Sequence, residues 1–256
     1  MLRFLIFILI LLCVRSLLRA QETASSDSLV ELKGKSFPVK MTAKIAISSS
    51  MLTYGLMSLE NKYLKDLDTS TQSELDKRGY PFQHKLDDYF QFSPAVAAFT
   101  LNLAGVKSTH KLKDMVILYG LSNLVETGAV YTIKHTTSRT RPDGSAKNSF
   151  PSGHTATAFV AAEFLYQEYN DQSPWISVGG YTMASLIGAS RIFNNRHWLS
   201  DIVAGAGVGI LSTKIVYWTY PYLQKLWNKD SKKPLRTFLY PSYNQGNIGF
   251  VFAYSF

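Results

Sequence analysis

Three polar clusters sit at the ends of apolar, helix-length segments: Lys134 with Arg141-Pro142, Pro151-Ser152-Gly153-His154, and Ser190-Arg191 with His197 and Asp201. The segments from Met115 to Ile133, Thr155 to Tyr169, Pro174 to Ile192 and Asp201 to Tyr220 read as helices. Clusters at such positions meet only if the helices fold back on one another as a bundle. Gly205, Gly207 and Gly209 allow close helix packing. Pro142, Gly144 and Pro151 mark the stretch from Arg139 to Ser152 as a loop. Upstream, Met41 to Leu59 reads as a helix. Residues 60–90 read as charged loop with short helices, punctuated by Gly79 and Pro81, and Pro94 to Ala104 as a brief apolar segment. At the far end Phe250, Phe252, Tyr254 and Phe256 alternate with Val251, Ala253 and Ser255, a period of two that predicts a strand in a local hairpin or edge. The expected class is all-α: a helical bundle with a short C-terminal β segment. The expected division is 1–20 leader, 21–90 linker and N-terminal helical segment, 91–222 helical core, and 223–256 basic tail with one or two strands.

The leader is read as an export signal. Arg3 precedes an apolar run from Phe4 to Val14, and Ala20 supplies a small residue before Gln21. The run is shorter than the roughly 20 residues an ordinary membrane span needs. Cys13, the only cysteine, lies inside it, so the mature chain would hold no disulfide and no thiolate. The net charge of +9 suits anionic ligands or surfaces. Nucleic acid is not expected, because no Lys/Arg run is interleaved with aromatics on a recognisable module.

The clusters supply what a phosphate monoester requires. Its hydrolysis needs cations to offset the dianion's charge and an acid for the leaving alkoxide. Arg141 and Arg191 suit bidentate phosphate contacts, while Lys134 is a point charge. Ser152 offers a hydroxyl, and Gly153 lets backbone approach an oxyanion at the start of a helix, where free N–H groups favour anions. His197 and Asp201 are four apart, on one helical face or in one tight turn. Asp201 can fix one ring nitrogen and leave the other free to attack.

The ordered pattern Lys134-x6-Arg141-Pro142, Pro151-Ser152-Gly153-His154, Ser190-Arg191-x5-His197-x3-Asp201 resembles the type 2 phosphatidic acid phosphatase family. That superfamily includes bacterial class A acid phosphatases and vanadium haloperoxidases. The resemblance implies a phosphatase core with His197 as nucleophile, Asp201 orienting it, and His154 protonating the leaving group. Lys134, Arg141, Ser152, Gly153 and Arg191 would hold the phosphoryl oxygens. It implies no metal and no cofactor. The expected reaction is dephosphorylation of a lipid in the bacterial envelope, with lipid A, undecaprenyl pyrophosphate, phosphatidate and phosphatidylglycerol phosphate as candidates. A soluble periplasmic phosphatase acting on small phosphate esters, a vanadate-dependent haloperoxidase and a non-catalytic binding protein remain alternatives.

Of the other polar residues, His84 and His110 are expected at the surface. His135 and Asp143 lie near the motif residues, and Glu126 and Glu163 are expected as paired or interhelical groups. Residues 115–133 and 201–220 are nearly long enough to cross a bilayer. Lys225, Lys229, Lys232, Lys233 and Arg236 follow the second as at a cytoplasmic end. Membrane association is expected, with an exported, periplasmic site. An even number of crossings before Lys134 would be needed for that orientation.

Overall fold

A computed structural model describes residues 39–79, 86–230, 237–244 and 247–254. The leader, His84, and much of the linker and basic tail lie outside the described residues. Eight helices are described: α1 (Val39–Ser58), α2 (Lys62–Lys77), α3 (Leu86–Phe90), α4 (Ser93–Leu103), α5 (Leu112–Thr137), α6 (Gly153–Tyr169), α7 (Pro174–Phe193) and α8 (Leu199–Asp230). Strands β1 (Thr237–Asn244) and β2 (Asn247–Tyr254) pair antiparallel, with Thr237 opposite Tyr254 and Asn244 opposite Asn247. The all-α bundle with a short β segment is therefore what the chain forms.

Helix α6 is the axis of the bundle and packs against α4, α5, α7 and α8. Most of its 17 residues are buried, including Ala156, Ala158, Ala161 and Ala162. Small residues let the neighbours approach. A Cβ on Gly205 of α8 would stand 2.6 Å from the Ser152 carbonyl oxygen, and one on Gly207 would stand 2.7 Å from that of Ser48 in α1. Both separations are too short for real atoms, so α8 keeps its contacts with α6 and α1 only with glycine there. The apolar core gathers Met115, Phe164, Leu165 and Tyr169 around α4, α5 and α6.

Three segments differ from the sequence reading. Residues 60–90 are not mainly loop, because α2 spans 16 residues there. Asn61 caps it by accepting from the Leu64 N–H at 3.3 Å, and its buried side of Asp68 and Gln72 is polar, so no apolar stripe announces it. Helix α5 does not stop before Lys134 but runs through it to Thr137. The hydroxyls of Thr136 and Thr137 satisfy carbonyls of the preceding turn, and Ser138 ends the helix in a left-handed conformation at φ 47°. Helix α8 starts at Leu199 and continues through Pro221 to Asp230.

Among the described residues two helices, Leu112–Thr137 and Leu199–Leu226, are long and apolar enough to cross a membrane. Only 22% of the apolar window in the first is buried, leaving Val116, Leu124, Val125 and Tyr131 facing outward.

Candidate active site

The turn before α8 brings His197 and Asp201 together. His197 lies outside the helix and Asp201 in its first turn, both essentially inaccessible. Asp201 Oδ2 accepts from the Trp198 N–H at 2.9 Å, reaching back over the helix start. It also accepts from the Ser149 hydroxyl at 2.5 Å. His197 Nδ1 stands 3.6 Å from that same Oδ2 and 3.5 Å from Ser149 Oγ. The first separation exceeds a hydrogen bond, so Ser149, which stands between them, links the ring to the carboxylate. This arrangement turns Nδ1 toward Asp201 and leaves Nε2 as the outward nitrogen. Burial, reinforced by Lys134 and Arg191 against the pull of Asp201, lowers the His197 imidazole to about 4. It is neutral near pH 7.

The other oxygen of Asp201 is held by a residue the motifs did not single out. Arg139 Nη1 donates to Asp201 Oδ1 at 2.8 Å and to Ser200 Oγ at 2.7 Å. Its Nη2 donates to Asp68 Oδ2 on α2 at 2.6 Å. Asp68 also accepts from the Ser200 N–H at 2.9 Å and the Ser200 hydroxyl at 2.6 Å.

The cations face this pair from three elements. Lys134, in the last turn of α5, donates to the Asn148 carbonyl at 2.5 Å. It lies within electrostatic reach of Arg141, Arg191 and Asp201. Arg141 leads the loop between α5 and α6, and its backbone N–H donates to the Ala146 carbonyl at 3.0 Å. Arg191, near the end of α7, is bound by Asp87 of α3. The Nε groups of Arg141 and Arg191 are buried without partners. His154, at the start of α6, places Nε2 2.7 Å from Asp88 Oδ1. Burial and the Arg191 charge hold its imidazole below the ordinary histidine value, and Asp88 opposes them.

Lys134, Arg141, Arg191, His197 and Asp201 thus converge electrostatically, and His154 joins them through Arg191. Ser152 and Gly153 occupy the same turn with different parts to play. The Ser152 hydroxyl is buried in the α6 cap, accepting from Thr155 Oγ1 at 2.9 Å, and its N–H donates to the Asp201 carbonyl at 3.0 Å. A Cβ on Gly153 would meet nothing closer than Val130 at 3.9 Å, so its open face is not filled by protein.

His110 is not a free surface residue. Its Nδ1 is 2.9 Å from Glu168 Oε1. His135 is exposed and turns Nδ1 to the Tyr131 carbonyl at 2.8 Å. Asp143 pairs with Arg196 at 3.1 Å at the edge of the site. Glu163 joins Lys214 of α8 and Tyr181 of α7, whereas buried Glu126 meets Thr127 at 3.2 Å. Among the described residues no cluster of three or more His, Cys, Asp and Glu side chains is placed to hold a metal ion. The motif reading also passed over Asp87, Asp88 and Ser149. They carry no local spacing signal, and only Arg139, two residues before Arg141, lies within a motif segment.

Residues 115–225 match the family model of the PAP2 superfamily, in agreement with the resemblance carried by the motifs. The chain is 46% identical over 138 residues to a lipid A 1-phosphatase of Porphyromonas gingivalis, covering 54% of this chain and 31% of that relative. It is 38% identical over 76 residues to the bacitracin transport permease protein BcrC of Bacillus licheniformis, covering 30% and 36%. The chain thus spans about a third of the length of these two relatives. Among solved structures, Aquifex aeolicus LpxE aligns with 59% of this chain and 95% of its own at 24% identity and a TM-score of 0.43.

Proposed function

We propose, from the match of residues 115–225 to the PAP2 superfamily model, that this protein is a phosphatase that hydrolyses a phosphate monoester of an envelope lipid. The 1-phosphate of a lipid A is the leading substrate. The observation that carries the reading is one neutral buried imidazole, His197, backed by Asp201 and faced by Lys134, Arg141 and Arg191. The similarity to the Porphyromonas phosphatase favours lipid A within the class.

In this mechanism the cations and the open backbone at Gly153 receive the phosphoryl oxygens. The lone pair of His197 Nε2 forms a bond to phosphorus as the ester P–O bond breaks. The departing electron pair stays on the lipid oxygen, which takes a proton from His154. Neutral His154 then removes a proton from water, whose oxygen bonds to phosphorus as the N–P bond breaks. The pair returns to Nε2 and inorganic phosphate leaves. Asp201 stabilises the positive ring that exists between the two steps.

The outward apolar face of α5 supports a membrane-held enzyme of the bacterial envelope. The decisive experiment is phosphate release by the purified protein from lipid A in detergent micelles, read by mass spectrometry of the lipid product, with a small aryl phosphate in parallel. The expected result is loss of a single phosphate from the lipid at a kcat/KM well above that for the aryl ester. Hydrolysis of the aryl ester with the lipid untouched would overturn the lipid assignment, and hydrolysis of neither would overturn the phosphatase.

A further inference from the structure

Arg139 presents a guanidinium within the motif loop, yet its bonds point away from where a phosphate would sit. Nη1 donates to Ser200 Oγ and Asp201 Oδ1, and Nη2 to Asp68 Oδ2. Trp198 covers the group from one face, with the guanidinium carbon 5.5 Å from the ring centre, and is itself anchored by Nε1 donating to the Thr140 carbonyl at 2.8 Å. Asp68 and Asp201 are fully buried, and the Arg139 side chain is 14% exposed. Asp68 in turn grips both the N–H and the hydroxyl of Ser200, beside Asp201. Asp68 lies on α2, outside residues 115–225.

We infer that Arg139, Asp68 and Ser200 form a positioning unit that fixes the Asp201 carboxylate against His197, so that α2 supports a reaction it does not touch. The reason is geometric. Asp201 Oδ2 already serves Ser149 and the Trp198 N–H, and it faces His197 from 3.6 Å without a direct hydrogen bond. A carboxylate at that range orients an imidazole only if it cannot rotate. Arg139 on Oδ1 blocks that rotation, and Asp68 keeps Arg139 from turning toward the other cations' ligand. The planar fork reaches these acceptors from two separate nitrogens held in one rigid frame, a geometry that the single nitrogen of a lysine does not reproduce.

This inference rests on the phosphatase reading, and its test separates the two. The purified enzyme, the Arg139→Lys variant and the Arg139→Met/Asp68→Asn double variant are assayed on lipid phosphate for kcat, KM and inhibition by inorganic phosphate. The double change removes a cation and an anion together, so it leaves no new net charge buried. Loss of the outer partner that orients a metal-bound histidine costs about 10–100-fold, and a loss of the same order is expected where the orienting carboxylate backs a histidine alone. The expected result is kcat down about 100-fold in the double variant and about 3–10-fold in Arg139→Lys, with KM and phosphate inhibition within about 2-fold of wild type. Weaker phosphate inhibition with kcat retained would make Arg139 a phosphate ligand and overturn the inference. Unchanged kcat in either variant overturns it as well. If the double variant does not fold, Arg139→Lys decides alone, on the same readings. An inactive wild-type enzyme would bring down the functional reading and this inference together, whereas an active one leaves only the inference at stake.

Discussion

Two histidines in this bundle, His197 buried and His110 half-buried, each face a carboxylate, and they are built for opposite ends. His197 lies near the start of α6 with Asp201. His110 lies by its other end with Glu168, about 21 Å along the axis at 1.5 Å per residue. His110 Nδ1 and its backbone N–H both reach Glu168, at 2.9 Å each. Tyr217 donates to the same carboxylate at 2.6 Å, and the His110 ring stands edge-on to Tyr217 and Tyr220. The hydrogen bond to Glu168 raises the His110 imidazole, with the Glu168 and Asp114 charges adding to it and burial opposing. At His197 burial dominates, and Lys134 and Arg191 push the same way. The ring type and the partner type are the same. Burial with cations beside it keeps one ring neutral, whereas carboxylates favour the proton on the other, which ties the loop before α5 to the end of α6.

The largest expected effect separates the two pairs directly. His197→Ala should lower kcat on lipid phosphate at least about 10³-fold with an unfolding temperature near wild type, as expected when a member of a nucleophile–base set is removed. His110→Ala should leave kcat within about 2-fold and cost about 1–3 kcal/mol of stability, because the ring's hydrogen bond to the buried Glu168 carboxylate is lost while Tyr217 and the backbone N–H still hold it. Steady-state kinetics and denaturant unfolding of both variants give the answer. A dead His110→Ala enzyme of wild-type stability would erase the distinction.

A smaller effect follows from the two site imidazoles. In the proposed mechanism His197 attacks as a neutral ring, which it becomes as pH rises past about 4. There His154 serves the leaving group as a protonated ring, and burial with Arg191 keeps its value under that of a free histidine. The kcat/KM profile should therefore be a bell lying on the acid side of neutrality. Asp88 raises the His154 value, so Asp88→Asn should move the alkaline limb to lower pH and leave the acid limb in place. Rates of the two proteins across pH 3–9 would show it. An alkaline shift in the variant would contradict the assigned acid.

How much of this could be read beforehand depends on sequence distance. His197 and Asp201 were legible because a four-residue spacing places them in one turn, and Lys134, Arg141, His154 and Arg191 because they stand in an ordered pattern with them. Asp68, Asp87 and Asp88 were not legible. Each meets a partner far along the chain: Ser200 for Asp68, Arg191 for Asp87, His154 for Asp88. A carboxylate in a charged stretch looks the same whether it faces water or a buried arginine. Helix α2 escaped for the same reason, since what it buries is Asp68 and Gln72 instead of an apolar stripe. His110 is expected at the surface because it sits in a polar stretch of the sequence. Its true neighbours come from α6 and α8, and only the fold supplies them.

The smallest effect is on stability, and the two histidines should move it in opposite directions. The His110 imidazole is raised above its unfolded value of about 6.5, so the folded state holds that proton more tightly. Its contribution is complete below pH 6.5 and is lost as pH rises through the folded value. His197 is lowered to about 4, so the unfolded chain takes up a proton more readily between pH 6.5 and 4, and its contribution is lost as pH falls through that window. Thermal unfolding of wild type should weaken at both ends. His110→Gln, which keeps a polar group near Glu168 but cannot charge, should flatten the alkaline decline and leave the acid one. If the alkaline decline survives that substitution, the pair of His110 and Glu168 is not what titrates there. His110 would then be only a hydrogen-bonded ring, and its difference from His197 would be one of burial instead of surrounding charge.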